Sequence, residues 1–424
     1  MTDALAVDDV VGLLRPGMSV WIAGGTNEPL GFVDALKRNP ESARGVNFYQ
    51  STVPGLNHTD YSAFHPEATM TVFLLTPELR KSYQAGRVLF IPKQLRAISD
   101  FFETELAIDL AVTQLAPTDQ ANELSYGLNS DFLDAAIANA KCVVGEINRA
   151  QWAPVGAPTI TRSTCHHLYS CDVPLPTFPE LALTDEARTI GTYVAELVSD
   201  GACIQTGIGS IPAGVLAALE GKNDLGLHSG IIDDGIMKLA DAGVINGRCK
   251  TIDQGRIITA ISIGTDRLYE WSAKNDAVAY RPVSYTHSNT VLAQLDNFTS
   301  INSAIEVDLF GQVNAEMVGG RQLSGTGGSV DFMRGASAAK NGKSILALTA
   351  TASRGTISRI VPALAPQTTA TALRTDIDYV VTEFGVAHVR NLTTVSRGDA
   401  LIDIAPPQFR DELRREWATM KKNL

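Results

Sequence analysis

The stretch LGLHSGIIDDG (225–235) combines residue types that enzymes use for proton transfer and nucleophilic attack. His228 comes shortly before the adjacent carboxylates of Asp233 and Asp234, and a glycine follows them where a strand is expected to end and a helix to begin. Gly230, the natural position for a catalytic carboxylate in this loop, has no side chain. We therefore predict an active-site loop whose reacting carboxylate is supplied by another part of the chain.

Two glycine-rich stretches have the composition of anion-binding turns. GIGSIPAG (207–214) follows a predicted strand and opens a predicted helix, so its backbone amides and the helix dipole favour a phosphate or pyrophosphate. SGTGGSVDFMRGA (324–336) presents several amides near a charged helix start, an arrangement that can line an oxyanion or thioester site. Each stretch also fits a tight turn in which glycine serves geometry alone, and the sequence leaves both interpretations open.

Three further carboxylates lie at predicted turns or strand ends. Glu28 follows GGTN, Asp60 lies in the long loop QSTVPGLNHTDYSAF, and Glu146 ends a predicted strand. A turn carboxylate more often caps a helix than reacts, so each has a structural as well as a catalytic interpretation. His228 likewise fits packing or hydrogen bonding, and no Ser-His-Asp or HExxH order stands out.

Charge and cysteine content limit the classes of ligand. The net charge of −11 and the pI near 5.2 provide no basic field for a phosphate backbone, so we expect no nucleic-acid partner. The N-terminal MTDALAVDDVVGLL lacks the pattern of a secretory signal, and no apolar run has the length of a membrane span, so we expect a cytoplasmic protein. The five cysteines fit reduced thiols, and Cys165, His166, His167 and Cys171 match no common zinc spacing, so we predict no metal site.

Apolar runs rich in Val and Ile alternate with helix-length segments, a pattern typical of buried parallel strands in an α/β fold. A proline-rich segment beginning at about 172 marks a boundary, and we predict α/β domains over 1–175 and 181–424. Whether the two halves duplicate one fold stays open. The predicted strands and helices include SVWIAGG (19–25), ATMTVFLL (68–75), RVLFIP (87–92), LAIDLAVTQL (106–115), the helix NSDFLDAAIANA (129–140), KCVVGEIN (141–148), the helix TDEARTIGTYVAELV (184–198), ACIQTGIG (202–209), the helix IPAGVLAALEG (211–221), GRIITAISIG (255–264), SAIEVDLFGQV (303–313), KSILALTA (343–350) and DIDYVVTEFGVAHV (376–389).

Taken together in order and spacing, these stretches resemble the acetyl-CoA hydrolase/transferase family, which includes 4-hydroxybutyrate CoA-transferases and belongs with the class I CoA-transferases. The resemblance covers nearly all of 181–424, and GMSVWIAGGTNEP and VVGEINRAQWAPVG extend it more loosely into the first half, where QSTVPGLNHTDYSAFHP diverges. The matching stretches are GIGSIPAGVLAAL, DLGLHSGIIDDGIMKLADAGVING, RPVSYTHSNTVLAQLDNFTSINSAIEVDLFGQVNAE, SGTGGSVDFMRGA, SRIVPAL and DYVVTEFGVAHVRNLT with ALIDIAPPQFRDEL.

The resemblance implies a fold and a reaction. Family members are two open α/β domains of the CoA-transferase (NagB/RpiA-like) type with the active site between them, and they commonly form homodimers or larger assemblies. A Glu carboxylate attacks an acyl-CoA thioester and carries CoA to a small carboxylic acid through covalent acyl intermediates. Acyl-CoA and the acid are then the small-molecule partners, and no tightly bound cofactor is expected.

The resemblance also assigns residues. His228 and Gly230 of the loop, together with Glu146, are expected to line the substrate pocket, and Arg354 stands where a Lys often helps to bind CoA. Backbone at Gly327 and Gly328 should face the thioester. The expected CoA contacts are Gly207, Ile208, Gly209, Ser210 and Ile211.

One departure from the family leaves three hypotheses open. The family motif has HTE ahead of a segment resembling FSDG, whereas this chain has His228, Ser229 and Gly230 ahead of IIDDG. In the first hypothesis the protein is a CoA-transferase for a short or medium acyl group or a dicarboxylic acid, with a relocated nucleophile. Asp60 is then the leading candidate and Asp233 the second, and Glu28 has a supporting role. The second hypothesis is an acyl-CoA hydrolase with an activated water, and the third is a non-catalytic CoA-ester binding protein.

Overall fold

The computed structural model describes residues 6–424 and divides into two compact units. The first unit contains the chain up to Pro179 together with Ile232–Asp234 and Ile258–Thr286. The second contains Glu180–Ile231, Gly235–Ile257 and His287–Leu424. The chain therefore passes between the units at Pro179, close to the predicted boundary, while two short segments of the second half belong to the first unit.

The first unit is built on a nine-stranded sheet. Its parallel strands lie in the order β4-β3-β2-β1-β5-β7-β9, and β6 and β8 extend it by antiparallel pairing from the end of β5. Helices cover such a sheet on both faces, which explains why β5 and β7 are apolar and buried along most of their length. The strands are β1 Ser19–Ile22, β2 Asn47–Gln50, β3 Thr69–Val72, β4 Val88–Phe90, β5 Ile108–Pro117, β6 Glu123–Ser125, β7 Ala140–Asn148, β8 Thr159–Thr161 and β9 His167–Cys171.

The second unit contains a sheet with the same central arrangement. Six of its strands lie in the order β11-β10-β12-β13-β14-β15, parallel except for the final hairpin of β14 and β15. In each sheet the strand that comes first in the chain is flanked by the second strand on one side and by a much later strand on the other. These strands are β10 Cys203–Thr206, β11 Gly226–His228, β12 Phe298–Ser303, β13 Lys343–Ala347, β14 Tyr379–Thr382 and β15 Gly385–His388.

A reversal of strand order places a crevice at the carboxyl ends of the strands, where open α/β folds bind their ligands. β1 and β10 are the strands at which the two sheets reverse, so the turns that follow them are the expected ligand sites. The α/β class predicted from the sequence is confirmed, and the shared strand arrangement supports a duplicated fold.

The helices and the short strands complete both units. None of the helices within residues 6–424 combines the length and the apolar character that a bilayer span requires. The helices are α1 Val7–Val11, α2 Leu30–Arg38, α3 Arg80–Gln84, α4 Leu95–Asp100, α5 Leu133–Asn139, α6 Asp185–Leu197, α7 Ser210–Ala218, α8 Asp234–Asp241, α9 Asp266–Lys274, α10 Val283–Thr286, α11 Asn289–Leu292, α12 Ser329–Ala338, α13 Thr394–Asp403 and α14 Arg410–Met420. Short strands lie at Ile231–Ile232, Ile257–Thr259, Ile261–Ser262, Val278–Tyr280, Glu306–Asp308, Val313–Asn314, Met317–Val318, Arg321–Gln322, Thr351–Ala352, Ile357–Ser358 and Ile360–Val361.

Helices α6 and α7 approach so closely that only glycine fits at their contact. A Cβ on Gly191 would lie 2.2 Å from the carbonyl oxygen of Gly214, and a Cβ on Gly214 would lie 2.3 Å from that of Ala187. Both obstructing atoms are backbone, so neither can move without shifting a helix. This contact fixes the position of α7, whose N-terminus follows β10.

Gly214→Ala should destabilise the protein by about 2 kcal/mol or more, although Ala is the better helix former, because the helices must separate. Urea unfolding monitored by circular dichroism measures the loss. Gly221→Ala is the matched control, since a Cβ there meets no heavy atom within 4 Å. A Gly214→Ala variant as stable as the control would contradict the proposed backbone contact.

Candidate active site

The turn after β10 forms an open helix N-terminus in the second unit. Gly209 precedes α7 with φ 130°, a backbone conformation that side chains rarely adopt, so glycine is required there. Gly207 differs, because a Cβ on it would meet no heavy atom within 4 Å and its φ is not positive. Packing therefore does not explain Gly207, and its missing side chain leaves open space beside the turn that leads into α7. Such an N-terminus attracts phosphate.

The second glycine-rich stretch leads into α12. Gly327 has φ 61°, which accounts for glycine at that position by turn geometry, and Gly328 is the residue that caps α12. The helix buries Phe332 on the side that faces the rest of the unit. A second helix N-terminus thus follows a glycine-rich turn, but the positive φ of the turn is sufficient to explain the glycine at position 327.

The loop after β11 places an imidazole against Gly230. A Cβ on Gly230 would lie 2.7 Å from Cε1 and 3.0 Å from Nε2 of His287, distances too short for a real contact. His287 is 2% exposed, and its ring centroid lies 4.4 Å from that of Phe332. Position 230 therefore has no room for a side chain while His287 holds this place.

His287 is an uncharged group at neutral pH. Burial, together with a smaller contribution from charge repulsion by the nearby His228, lowers its pKa to about 3. His228 is itself fully buried at the end of β11, and Ser229 ties the loop to β10 by donating a hydrogen bond of 3.0 Å to the carbonyl oxygen of Thr206. Sequence analysis missed His287, because it lies in SYTHSNT, far along the chain from Gly230 and without a motif of its own.

Glu28 lies buried in the first unit, in the turn after β1. Its carboxylate accepts hydrogen bonds from Asn57 Nδ2 at 3.0 Å, Tyr61 Oη at 3.0 Å and Gln50 Nε2 at 3.3 Å. Burial raises the pKa of Glu28, and these hydrogen bonds oppose the increase. Three donors on one buried carboxylate fix the turn at the carboxyl end of the first sheet.

Glu146 lies in β7 and belongs to the same buried network. It accepts hydrogen bonds from the backbone N of Phe32 at 3.0 Å and from Tyr169 Oη at 2.5 Å. Gln114 joins the two carboxylate residues, because its Nε2 lies 3.3 Å from the carbonyl oxygen of Glu28 and 3.2 Å from Oε1 of Glu146. The structure thus brings Glu28 and Glu146 together, and the partners Gln114, Tyr61 and Tyr169 were not anticipated from the sequence.

Asp60 has the contacts of a structural carboxylate. It caps the turn Tyr61–Ala63, and its Oδ1 accepts hydrogen bonds from the backbone N of Ser62 at 3.0 Å and from the hydroxyl of the same serine. Its Oδ2 accepts a hydrogen bond from Ser82 Oγ. Both carboxylate oxygens are therefore engaged, as the capping interpretation of this position predicts.

The two aspartates of the loop differ in their surroundings. Asp234 is buried and accepts hydrogen bonds from the backbone N of Thr265 at 3.0 Å and from its Oγ1 at 2.5 Å, which anchors the start of α8. Asp233 is half-buried. Arg354 lies exposed at the tip of the hairpin between Thr351–Ala352 and Ile357–Ser358, with φ 56°.

The described residues 6–424 contain no cluster of three or more His, Cys, Asp or Glu side chains arranged to hold a metal ion.

The stability conferred by Glu28 should depend on pH. The pKa of Glu28 is raised on folding, so the native state keeps a proton that the unfolded chain releases as the pH rises above 4.5. The contribution of Glu28 to stability therefore falls as the pH rises from 4.5 towards the folded-state pKa. Glu28→Gln has no such proton. We expect Glu28→Gln to cost about 1–3 kcal/mol at low pH, because its amide hydrogens face donors, and this deficit relative to the native protein to shrink as the pH rises above 4.5.

Thermal unfolding of both proteins at several pH values measures this difference. Glu220→Gln, on an exposed side chain, is the matched control and should show no such trend. A deficit that widens with pH would contradict the raised pKa of Glu28.

Comparison with known proteins places the chain in a family. Residues 4–156 match the acetyl-CoA hydrolase/transferase N-terminal domain, and residues 264–417 match the acetyl-CoA hydrolase/transferase C-terminal domain. The 4-hydroxybutyrate coenzyme A transferase of Clostridium kluyveri is 36% identical over 414 residues, which cover 97% of this chain and 96% of that protein. The succinyl-CoA:cyclohexane-1-carboxylate CoA transferase of Geobacter metallireducens is 35% identical over 416 residues, which cover 98% and 94%.

A solved structure agrees over the whole chain. RipA from Yersinia pestis superposes with a TM-score of 0.92 at 29% identity, covering 99% of this chain and 97% of that one. The open helix N-terminus after β10, the strand order and the full-length similarity agree with one another. The chain belongs to the acetyl-CoA hydrolase/transferase family of enzymes.

Proposed function

We propose that the protein is an acyl-CoA:carboxylate CoA-transferase acting on a short or medium acyl group or a dicarboxylic acid. The observation that carries this proposal is the N-terminus of α7, which has no side-chain cap, lies where the second sheet reverses and follows a glycine that packing does not require. Relatives covering nearly the whole chain are named as CoA transferases, for 4-hydroxybutyrate and for succinyl-CoA with cyclohexane-1-carboxylate, which supports the same class of substrates.

The turn Gly207–Ile211 binds the diphosphate of CoA in this proposal. The backbone amides at the start of α7 donate to the phosphate oxygens, and the helix dipole adds a favourable field. Arg354 contributes a charged contact to a phosphate group of the same ligand. Because this arginine is exposed, solvent screening reduces its contribution to a fraction of that of a buried ion pair.

Arg354→Gln should raise KM for acyl-CoA about 3- to 10-fold and leave kcat nearly unchanged, because the contact acts equally on the bound substrate and on the transition state. Steady-state kinetics over a range of acyl-CoA concentrations measures both constants. Arg354→Lys, which keeps the charge, is the matched control, and its KM for acyl-CoA should lie between those of the native protein and Arg354→Gln. A fall in kcat with unchanged KM would remove Arg354 from CoA binding.

The reacting carboxylate comes from Asp233 in this proposal, with Asp60 and Glu28 as the other candidates. It attacks the thioester carbonyl carbon, a C–O bond forms, the C–S bond breaks, and CoA leaves as the thiolate. Asp233 is half-buried and follows Gly230 closely in the chain. Asp60 accepts hydrogen bonds on both oxygens while it caps Tyr61–Ala63, and the Glu28 carboxylate is buried among three donors, so both have structural roles. Asp233 is proposed instead because it lies in the predicted active-site loop itself.

Mass spectrometry after incubation with acyl-CoA tests this assignment. Hydroxylamine or borohydride should trap an acyl or CoA adduct that maps to the peptide containing Asp233, and Asp233→Asn should abolish both the adduct and CoA exchange. Asp60→Asn should keep exchange activity and lose thermal stability, because it breaks the cap of Tyr61–Ala63. An adduct that maps to Asp60 would reverse the order of the two candidates.

Acyl-CoA hydrolysis is the second candidate function, and the absence of a side chain at Gly230 favours it. A hydrolase needs no covalent carboxylate, since an activated water attacks the thioester carbonyl and backbone amides stabilise the oxyanion. The discriminating measurement is the release of free acid from acyl-CoA with no acceptor acid present. Release without an acceptor and without an adduct would replace transfer by hydrolysis, and tight CoA binding with neither reaction would indicate a binding protein.

A further inference from the structure

The carboxyl end of β11 is closed by a side chain from a distant part of the sequence. Gly230 lies just beyond this strand, beside β10 and its open turn, which is where an open α/β sheet presents residues to a ligand. The atoms nearest to a Cβ on Gly230 are Cε1 of His287 at 2.7 Å, Nε2 of His287 at 3.0 Å and Cε2 of Phe332 at 3.8 Å. The imidazole of His287 therefore occupies the space that any side chain at position 230 needs, while Phe332 lies at an ordinary contact distance.

The imidazole has little freedom to leave this space. His287 is 2% exposed, and its ring centroid lies 4.4 Å from that of Phe332. Phe332 packs in turn on Phe298, with ring centroids 6.4 Å apart, inside a buried cluster. A side chain added at Gly230 meets a ring that is itself held in the core, so the two groups exclude each other.

The backbone of Gly230 does not require glycine. Its φ is not among the positive values, so an alanine or a glutamate can adopt this conformation once the space is free. The obstruction is therefore the side chain of His287 and not the geometry of the loop. Removing the imidazole should open position 230, and removing any other contact of the loop should not.

We propose that His287 closes position 230: its imidazole occupies the space that the Cβ of any side chain there needs, so a carboxylate nucleophile can be placed at position 230 only when His287 is also replaced. This inference rests on the proposed CoA-ester chemistry for its catalytic meaning. The native protein then catalyses its reaction without an enzyme-bound acyl or CoA group at position 230. Glycine itself accounts for that property, and His287 keeps a single substitution at position 230 from reversing it.

Replacing both residues should create a covalent carboxylate nucleophile at position 230. In the variant Gly230→Glu combined with His287→Ala, the new carboxylate has room and attacks the thioester carbonyl, so that a C–O bond forms while the C–S bond breaks and the CoA thiolate leaves. The thiolate then attacks the glutamyl carbon of this anhydride, a C–S bond forms, and the acyl group departs as the free carboxylate. Hydroxylamine should trap the glutamyl thioester, and peptide mapping should place it at position 230.

The single variant Gly230→Glu is the critical comparison. It should show no adduct at position 230, because His287 holds the space. An adduct at that position in Gly230→Glu alone would overturn the proposal, as would its absence from a folded Gly230→Glu/His287→Ala protein that binds acyl-CoA. Both variants are assayed beside the native protein, so a native protein without exchange or hydrolysis counts against the proposed function and not against this inference.

A stability cycle tests the exclusion without relying on activity. Gly230→Ala should lower Tm by about 3–8 °C in the native background, because the new methyl group meets the imidazole, and by less than about 1 °C in His287→Ala. Gly221→Ala, with no heavy atom within 4 Å of its Cβ, should leave Tm unchanged in both backgrounds. If His287→Ala does not fold, His287→Asn, whose side chain is shorter and has no ring, takes the place of His287→Ala in the cycle. Equal shifts in both backgrounds would overturn the proposal.

Discussion

Polar side chains buried at the carboxyl ends of parallel strands need hydrogen-bond partners, and much of the structure around these strand ends follows from this constraint. An unpaired buried polar group costs about 1–3 kcal/mol, and an unpaired buried charge costs more. In the first unit, Glu28 and Glu146 meet this requirement through Gln114 and their own donors. In the second unit, Gln205 and Asn302 exchange hydrogen bonds of 3.1–3.2 Å between β10 and β12. The strand ends are therefore rigid before any ligand binds.

The two units apply the same strand arrangement to different chemistry. After β1 the chain places Glu28 in a closed network of donors, whereas after β10 it places Gly207 in front of open space. The turn after β1 thus contains a buried carboxylate that its neighbours hydrogen-bond, and the turn after β10 leads into a helix N-terminus that favours an anion. The same strand arrangement thus carries a buried turn after β1 and a half-buried turn after β10.

The sequence predicted the elements with strong local signals and missed those defined by distant contacts. The runs SVWIAGG and KCVVGEIN form β1 and β7, and TDEARTIGTYVAELV forms α6 with Thr184 as its cap. DIDYVVTEFGVAHV was expected to be a single strand but folds as the hairpin of β14 and β15, because Glu383 and Phe384 form a tight turn in the middle of the run. β2 was not anticipated, since NFYQ is only four residues long and places two aromatic residues between two polar ones, without an apolar run or an alternating pattern. His287 was not recognised either, because no local pattern relates it to Gly230.

The exclusion between Gly230 and His287 also has an evolutionary consequence. A substitution at position 230 that arises first meets the buried imidazole and lowers stability, so selection against unstable variants removes it before any new chemistry appears. A substitution at position 287 that arises first also lowers stability, because it leaves a cavity, but it frees the space that a later side chain at position 230 can fill. The order of mutations is thus constrained, and the route from this loop to a carboxylate-bearing loop begins at a residue outside it.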